Sequence, residues 1–344
     1  MTLLLLGPIP PESEYYVERA LDESVLAAIH RGEYVILRGA RQTGKTSLAL
    51  RLRSALPTIG IASSLVDLSA LTGSSSEAQW LDGFSTSLQE NFLPMHVQSR
   101  FPISPARMTE LQKYILAIPV EIGLDWPVVI FLDEVTSVPA DVSQAFFATL
   151  RATYSLRSDP AAAPSAARIQ FVFIGTFNPV TMILGKNSPF NVARDFDTGE
   201  FDYTLAQTSD LAAKVGVPDQ APAAFSLAGG HPYLTNRILD LLTEGLTVES
   251  ARDEILRSDP NLRHIGSQLN LLGPAVQDLA ARILAGDEIY FALSLTAPLD
   301  SLITLGLVKA DTNGLARIRC PLYSEFLSRH LEQNRPRQMG FVTR

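Results

Sequence analysis

A phosphate-binding loop is indicated by the eight residues from Gly39 to Thr46. They fit the pattern G-x-x-x-x-G-K-[ST] at every fixed position. The glycines permit backbone torsions that turn successive N–H groups toward phosphate oxygens. Lys45 is expected to reach the β- and γ-phosphates of a nucleotide, and Thr46 to bind Mg²⁺. The residues predicted to contact ATP or ADP here are Gly39, Ala40, Arg41, Gln42, Thr43, Gly44, Lys45, Thr46 and Ser47.

Two acidic residues, Asp133 and Glu134, directly follow the apolar run "VVIFL". Carboxylates at the carboxyl end of a central strand lie where open α/β sheets bind ligands. Asp133 is predicted to hold Mg²⁺ through water, and Glu134 to orient and polarise the attacking water. This pair favours hydrolysis over phosphoryl transfer to a second substrate. The alternative is a strand that ends in solvated acids.

The segment "FIGTFNP" offers a polar contact for the γ-phosphate. Thr176 or Asn178 is placed to hydrogen-bond that phosphate or the attacking water, the role called sensor 1, and Asn178 is the candidate we favour. Asn178 before Pro179 is also a typical helix start, so a purely structural role remains an alternative.

A candidate arginine finger, Arg194, lies in the segment "NVARDFD". An arginine in that role stabilises charge on the transferring phosphoryl group, usually across a subunit boundary. The alternative is a structural arginine that pairs with Asp195 or Asp197.

The elements that must position these residues alternate between apolar strands and helices. Four strands are predicted, in "EYVILRG", "GIASSLVDLSAL", "WPVVIFLDEV" and "RIQFVFIGTFNP". Runs that are apolar throughout, separated by helices, predict a parallel sheet covered on both faces. The loop follows the first strand and opens a helix, as its motif requires. The fold class is therefore α/β, with the parallel sheet of a P-loop NTPase flanked by helices.

Beyond about Tyr203 the pattern becomes mostly helical, with stretches at 208–215, 220–228, 232–245, 248–257 and 261–285. Near the end, a helix, a strand, an Asn-Gly turn, a strand and a helix follow one another, which is the pattern of a winged helix. Domain limits are predicted near 205 and 285. The three parts are residues 1–205, 206–285 and 286–344.

The overall composition limits the classes of function. Of 344 residues, 46% are hydrophobic and 19% charged, an ordinary balance for a soluble globular protein. The net charge of −8 excludes a protein that coats nucleic acid, so DNA contact must be local. A single cysteine excludes an internal disulfide and fits a cytoplasmic protein. The start, "MTLLLLGPIPP", is interpreted as an extended segment, and no run reaches the roughly 20 apolar residues of a membrane helix.

Four segments in order resemble one known family. They are "GPIPPESEYYVERALDESVLAAIHRGEYVILRGARQTGKTSL", "VVIFLDEV", "AGGHPYL" and "LDSLITLGLVKADTNGLARIRCPLYSEFL". From about Gly7 to Leu331 the chain resembles the AAA-like domain family of bacterial STAND-type signalling ATPases. The motifs "YYVER" and "RCPLYSEF" narrow the resemblance from P-loop proteins in general to this family.

The resemblance implies an ATPase core, a helical lid in 206–285 and a winged helix in 286–344 that close on the nucleotide. By position, His231 and Pro232 would meet the phosphates and adenine from the lid. Tyr16 or Val17, together with Arg19, would border the base. From the residues alone, the segment "GGHP" indicates only a helix stop and a helix start. In larger relatives this module lies between an effector domain and a repeat-built sensor. Neither is recognised in this sequence, so we expect partners encoded separately or a longer parent chain.

Three functions remain open at this point. The first is a slow ATP-driven switch in bacterial signalling or defence, whose output is self-assembly or binding of a protein partner. The second is an ATP-dependent DNA initiator, loader or transposition-type regulator. Residues 301–344 contain seven Lys or Arg and three Asp or Glu, a local charge of +4, yet the helix in "PLDSLITLGL" lacks base-reading side chains. The third is a nucleotide-stabilised scaffold that hardly hydrolyses ATP.

Overall fold

The computed structural model describes residues 7–334, apart from 124, 183–187, 201 and 292–295. The chain divides into two compact units, Leu6–Phe201 and a second unit that begins at Asp202. Residues 1–6 of the predicted extended start and the basic residues at 335, 337 and 344 lie outside the described residues. The three-part division with limits near 205 and 285 stays a prediction.

A parallel sheet of five strands forms the centre of the first unit. The strand order is β2-β3-β4-β1-β5, and every pair is parallel. All residues of β3 and β4 are buried, as expected for strands covered on both faces. This architecture confirms the predicted α/β class. The strands are β1 (Tyr34–Arg38), β2 (Ala62–Asp67), β3 (Val128–Asp133), β4 (Ile169–Gly175) and β5 (Ala193–Asp197).

The fifth strand, β5, was not among the four predicted. Its sequence, Ala-Arg-Asp-Phe-Asp, is short and mostly polar, and Phe196 is its one fully buried residue. Only its pairing along β1, with Tyr34 beside Ala193 and Arg38 beside Asp197, makes it a strand. A short edge strand of this kind lacks the apolar pattern on which sequence-based prediction relies.

Seven helices are described in the first unit, and they cover both faces of the sheet. Alternate residues of a strand point to opposite faces. Tyr34 and Ile36 therefore join a core with α3, α4 and α5, while Val35 and Leu37 join another with α1 and α2. The helices are α1 (Ala20–His30), α2 (Lys45–Ala55), α3 (Glu77–Glu90), α4 (Met108–Glu121), α5 (Ala140–Ser155), α6 (Ala163–Ala166) and α7 (Pro179–Met182).

The position of β4 between β1 and β3 decides which residues meet. In a parallel sheet all strands end at the same edge, so the ends of β1, β4 and β3 lie side by side. The phosphate loop follows β1, Thr176 follows β4, and Asp133 ends β3. Residues far apart in the sequence thus come together at one edge.

The second unit contains helices and a two-stranded hairpin. The hairpin pairs β6 (Val308–Ala310) with β7 (Ala316–Ile318), and Gly314 in its turn has a φ of 74°. This confirms the predicted Asn-Gly hairpin, whereas the winged-helix assignment stays a prediction. The described helices are α8 (Leu205–Lys214), α9 (Ala221–Ala228), α10 (Pro232–Thr243), α11 (Val248–Ser258), α12 (Pro260–Leu272), α13 (Pro274–Ala285), α14 (Ala297–Thr304) and α15 (Pro321–Asn334).

The predicted helical stretch 261–285 is two helices rather than one. Gly273 separates α12 from α13 with φ 84° and ψ −176°. Pro274 follows it, and proline disfavours helical torsions in the residue before it. Among the described residues, no helix combines the length and apolar character needed to cross a membrane.

Candidate nucleotide-binding site

The phosphate loop joins β1 to α2 and has the backbone shape its glycines suggested. Gly39, Gln42 and Gly44 all have positive φ, at 148°, 61° and 84°. Gly44 directly precedes α2 and has no side chain that could cap the helix. The first N–H groups of α2 are therefore left for an anion, which is the arrangement that binds phosphate at a helix start.

The ammonium group of Lys45 lies across this loop. Its Nζ donates hydrogen bonds to the backbone oxygens of Gly39 at 2.9 Å and Ala40 at 2.6 Å, and to Thr176 Oγ1 at 3.4 Å. Burial lowers the pKa of Lys45 to about 8, although the nearby Glu134 and Asp133 act in the opposite direction. Phosphate oxygens would be stronger acceptors for this cation than the two carbonyls it now contacts.

A hydroxyl and a carboxylate suited to Mg²⁺ meet beside the loop. Thr46 Oγ1 donates to Asp133 Oδ2 at 2.7 Å, and the Glu134 N–H donates to Asp133 Oδ1 at 2.9 Å. Burial raises the pKa of Asp133, while the hydrogen bond from Thr46 acts to lower it. Oxygen ligands at a phosphate site are what Mg²⁺ prefers, so these residues fit that ion.

Glu134 occupies an unusual backbone conformation. Its φ of 52° and ψ of 50° are left-handed, which is rare for a residue other than glycine, and such strain clusters at functional sites. Its side chain is exposed, so water can reach the carboxylate. Partial burial and then the neighbouring Asp133 raise its pKa. This geometry suits a group that orients water, and the catalytic role of Glu134 stays a prediction.

The end of β4 brings Thr176 to Lys45. Asn178 precedes α7, and its backbone oxygen accepts from the Met182 N–H at 3.1 Å. That contact agrees with the structural alternative of a helix start. The sensor role of Asn178 stays a prediction, and Thr176 is the better placed of the two candidates.

Arg194 lies on the edge strand, away from its own phosphate loop. The strand register sets it beside Val35, three residues before the end of β1, so about 10 Å of strand separate it from the loop edge. Its guanidinium forms an ion pair with Glu33 at 3.6 Å and lies 5.4 Å from the centre of the Phe196 ring. The finger role stays a prediction, and it would require a site on another subunit.

The expected structural partners of Arg194 were wrong. Asp195 and Asp197 bind Arg38 instead, at 3.0 and 2.5 Å. Successive side chains of a strand point to opposite faces, so these two acids share the face that Arg194 does not. Arg38 and Asp197 are register partners, which explains the close pairing.

The amino-terminal residues contact the loop and the helix behind it. Buried Arg19 donates from Nη1 to the backbone oxygen of Thr43 at 2.9 Å. Ser47 Oγ accepts from the Ile9 N–H at 3.0 Å. Arg19 therefore lies next to the phosphate loop.

Tyr16 is held by two partners. Its hydroxyl donates to Asp22 at 2.8 Å, and the Arg51 guanidinium lies 4.6 Å from the centre of its ring. Val17 is half-buried in the same segment. Contact of Tyr16, Val17 and Arg19 with a base stays a prediction.

Sequence reasoning missed one residue at the loop, Thr198. Its buried Oγ1 lies 2.6 Å from Thr43 Oγ1 and donates to the backbone oxygen of Arg38 at 3.1 Å. Thr198 follows β5, the strand that lacks an apolar pattern. No feature of the sequence pointed to its position.

In the second unit, His231 is 1% exposed at the start of α10. Its Nδ1 accepts from the Leu234 N–H at 3.5 Å, and its Nε2 lies 3.3 Å from the Tyr323 hydroxyl. Burial, and then Arg319, lower its pKa well below the usual value, so the ring is neutral. Pro232 is the first residue of α10. These contacts account for His231 as a helix cap, and nucleotide contact by His231 and Pro232 stays a prediction.

Comparisons with known proteins identify the family and the fold of the chain. A family model described as an AAA-like domain matches residues 4–329. Over 257 residues the chain is 27% identical to an uncharacterised WD repeat-containing protein of Synechocystis sp., covering 70% of this chain and 21% of that protein. The chain thus spans about a fifth of the length of that curated relative.

Solved structures are similar at low sequence identity. A Walker-type ATPase of Pyrococcus abyssi matches with a TM-score of 0.67 at 15% identity, covering 94% of this chain and 99% of that one. The ORC2 protein of Aeropyrum pernix, solved in ADPNP–ADP complexes, matches with a TM-score of 0.48 at 15% identity over 95% and 96% of the two chains. The first of these likenesses shows a shared fold, that of a Walker-type ATPase.

Proposed function

Because the chain belongs to the AAA-like domain family, we propose that it binds and hydrolyses ATP and acts as a nucleotide-dependent switch. The observation that carries this proposal is the contact set of Lys45. Its ammonium lies on the loop carbonyls of Gly39 and Ala40, beside the pair formed by Thr46 and Asp133. A cation, a helix start and two oxygen groups that could hold Mg²⁺ therefore meet at one sheet edge.

The side chains of the loop would bind and orient the triphosphate. Lys45 would exchange its two carbonyl acceptors for phosphate oxygens and neutralise their charge. Thr46 and Asp133 would hold Mg²⁺, which when bound neutralises charge that develops on the phosphate oxygens. The exposed carboxylate of Glu134 would accept a hydrogen bond from the attacking water and orient it toward the γ-phosphate. Burial, and then Asp133, raise the pKa of Glu134, which makes its carboxylate a stronger base toward that water.

The output of the switch would be a change of conformation, self-assembly or partner. The curated relative is a WD repeat-containing protein in which the matched region is about a fifth of the chain. This chain would serve as the nucleotide-dependent module of a signalling or defence system, the role that its resemblance to STAND-type ATPases implies. Its partner would be a protein or a further copy of the chain.

DNA binding is the weaker candidate because the hairpin cations are already paired. Lys309 and Arg319 both contact Asp202, at 3.2 Å in the case of Lys309. Arg317 contacts Asp311 at 3.2 Å. Cations that are paired with carboxylates attract DNA phosphates less strongly, because their charge is partly neutralised. A salt-dependent duplex affinity that requires nucleotide would reverse this preference.

Phosphate release from three proteins tests the proposal. The wild type should release phosphate from ATP slowly, and Lys45→Ala should neither bind nor release. Glu134→Gln keeps the size of the side chain but removes the base, so it should bind ATP and release at least tenfold less phosphate. Equal release by wild type and Glu134→Gln would remove Glu134 from the mechanism. Binding without measurable release by the wild type would favour a nucleotide-stabilised scaffold.

The switch itself is tested by the mass of the assembly. Glu134→Gln should trap the ATP-bound form, so its mass with ATP is compared with its mass with ADP. A difference in subunit number between the two nucleotides is expected. If mass and amide-hydrogen exchange are the same with both nucleotides, the protein is an ATPase without switch behaviour.

A further inference from the structure

Thr198 ties the end of the edge strand to the phosphate loop. It is 0% exposed, and its hydroxyl lies between Thr43 Oγ1 at 2.6 Å and the backbone oxygen of Arg38 at 3.1 Å. Thr43 belongs to the loop, and Arg38 is the last residue of β1. One side chain therefore bridges the two ends of the turn that carries Gly39.

The first glycine of the loop is packed against this hydroxyl. A Cβ built on Gly39 would lie 2.1 Å from Thr198 Oγ1, far inside van der Waals contact. The position of Thr198 is itself fixed, because Asp197 binds Arg38 and accepts from the Gly199 N–H at 2.8 Å. The loop therefore packs at Gly39 against the Thr198 hydroxyl, which follows β5.

The hydroxyls of Thr43 and Thr198 take part in three short contacts but carry only two protons. Besides the contacts above, Thr43 Oγ1 lies 2.9 Å from the backbone oxygen of Ala40. One contact must therefore lack a proton at any moment. Ala40 O also accepts from Lys45 Nζ at 2.6 Å, so Thr43 is able to donate to Thr198 instead.

Nucleotide binding would redistribute these two protons. When Lys45 turns to the phosphates, the backbone oxygen of Ala40 loses its cation. Thr43 can then donate to Ala40 while Thr198 donates to Thr43. The hydroxyl pair keeps the backbone oxygen of Ala40 hydrogen-bonded in both situations, and in the second it is the backbone oxygen of Arg38 that gives up the proton of Thr198.

We infer that Thr198 is a positioning residue of the phosphate loop, which holds the loop in its binding shape through Thr43. This inference rests on the proposed nucleotide binding for its functional consequence. Thr198 contacts Thr43 and Arg38, so its effect on a nucleotide would be indirect. Its loss should therefore weaken nucleotide binding without removing any group that contacts phosphate.

The test compares Thr198→Val, which replaces the hydroxyl by a methyl, with Thr198→Ser, which retains the hydroxyl. Thr153→Val is the matched control, because Thr153 is also fully buried and donates to the backbone oxygen of Thr149 at 2.9 Å, in α5. Exchange of the amide hydrogens of residues 40–46 is measured without nucleotide. Affinity is measured by calorimetry with ADP, and KM and kcat with ATP.

Thr198→Val should speed amide exchange in the loop and weaken ADP binding roughly tenfold. KM should rise more than kcat falls. Thr198→Ser should restore both measurements, and Thr153→Val should change neither. Since the two hydroxyls act together, the effects of Thr43→Val and Thr198→Val on ADP affinity should not add. If Thr198→Val does not fold, Thr198→Ala takes its place.

Three results would overturn the inference. The first is unchanged loop exchange and ADP affinity in Thr198→Val. The second is failure of Thr198→Ser to restore them, which assigns the role to the methyl group. The third is a loss of stability with no local change in the loop. If the wild type binds no nucleotide, the proposed function fails. The amide-hydrogen exchange of residues 40–46 in wild type and Thr198→Val still decides whether Thr198 positions the loop.

Discussion

Thr46 donates a hydrogen bond of 2.7 Å to Asp133, which joins the first turn of α2 to the end of β3 across 87 residues of sequence. The hydroxyl and the carboxylate are the two protein groups proposed to bind Mg²⁺ beside a phosphate. Their contact is possible because β1 and β3 end at the same sheet edge. The proposed metal ligands are therefore adjacent in the fold.

Asp133→Asn removes the negative charge of this side chain but keeps its size and shape. The amide oxygen can still accept from Thr46, and only the acceptor of the Glu134 N–H is lost, so the fold should be retained. Loss of the negative charge should raise the Mg²⁺ concentration needed for hydrolysis roughly 10- to 100-fold, a loss typical of altered metal surroundings. Titration of ATP hydrolysis with Mg²⁺ measures this effect.

Asp67→Asn provides the matched control for this change. Asp67 ends β2 beside Asp133 in the strand register, but it caps the following turn by accepting from the Ser69 N–H. Its replacement should leave the Mg²⁺ dependence unchanged. Equal effects of the two substitutions would mean that general acidity at this edge, rather than ligation by Asp133, sets the Mg²⁺ requirement.

Gly39→Ala should damage the phosphate loop. The added Cβ would meet Thr198 Oγ1 at 2.1 Å, and the φ of 148° disfavours any residue with a Cβ. We expect ADP binding to weaken roughly tenfold or more, because strain of this kind costs about 1–3 kcal/mol. Gly73→Ala should bind ADP normally, since nothing lies within 4 Å of a Cβ built there. Normal ADP affinity in Gly39→Ala, measured by calorimetry, would contradict the packing described here.

Acid should destabilise the protein partly through His231. Burial lowers the pKa of His231 well below its usual value, so the folded chain does not take up a proton that the unfolded chain binds below about pH 6.5. Stability contributed by neutral His231 is therefore present above that pH and is lost as the pH falls below it.

His231→Asn should flatten the fall of unfolding temperature between neutral and acid pH. Asparagine is a good helix cap but does not titrate in this range. His96→Asn replaces an exposed histidine and should show the same dependence of unfolding temperature on pH as the wild type. A slope that is the same in all three proteins would exclude His231 as a source of acid sensitivity.

Arg194→Ala should reveal whether this arginine acts on a neighbouring subunit. Its side chain is 51% exposed, so its ion pair with Glu33 should add little to stability. If it is an arginine finger, hydrolysis should fall roughly 1,000-fold. Mixing Arg194→Ala with Lys45→Ala should then restore part of the hydrolysis. The Arg194→Ala subunit supplies the intact phosphate loop, and the Lys45→Ala subunit supplies the arginine.

Arg31→Ala is the matched control for that experiment. Arg31 is also exposed and contacts the same Glu33, at 2.7 Å. Wild-type hydrolysis by Arg31→Ala together with a large loss in Arg194→Ala would support a finger. Similar activity of the two variants would assign Arg194 to a surface ion pair.

The sequence by itself determined the phosphate loop, the four apolar strands and the acidic end of β3. These features depend on contiguous residues: a glycine at each end of a short loop, a lysine at a fixed distance, and apolar runs that only a covered sheet can bury. The hairpin at Asn313-Gly314 was predictable for the same reason, because two adjacent residues define its turn.

The tertiary structure alone decided how distant residues share this edge. Thr43 and Thr198 are 155 residues apart, and Arg38 and Asp197 are 159 apart. No local pattern encodes such pairs, because they arise from the strand order and from the polar edge strand β5. The choice of Asp195 and Asp197 as partners of Arg38 instead of Arg194 has the same origin, since the pairing across β1 and β5 determines which side chains face each other.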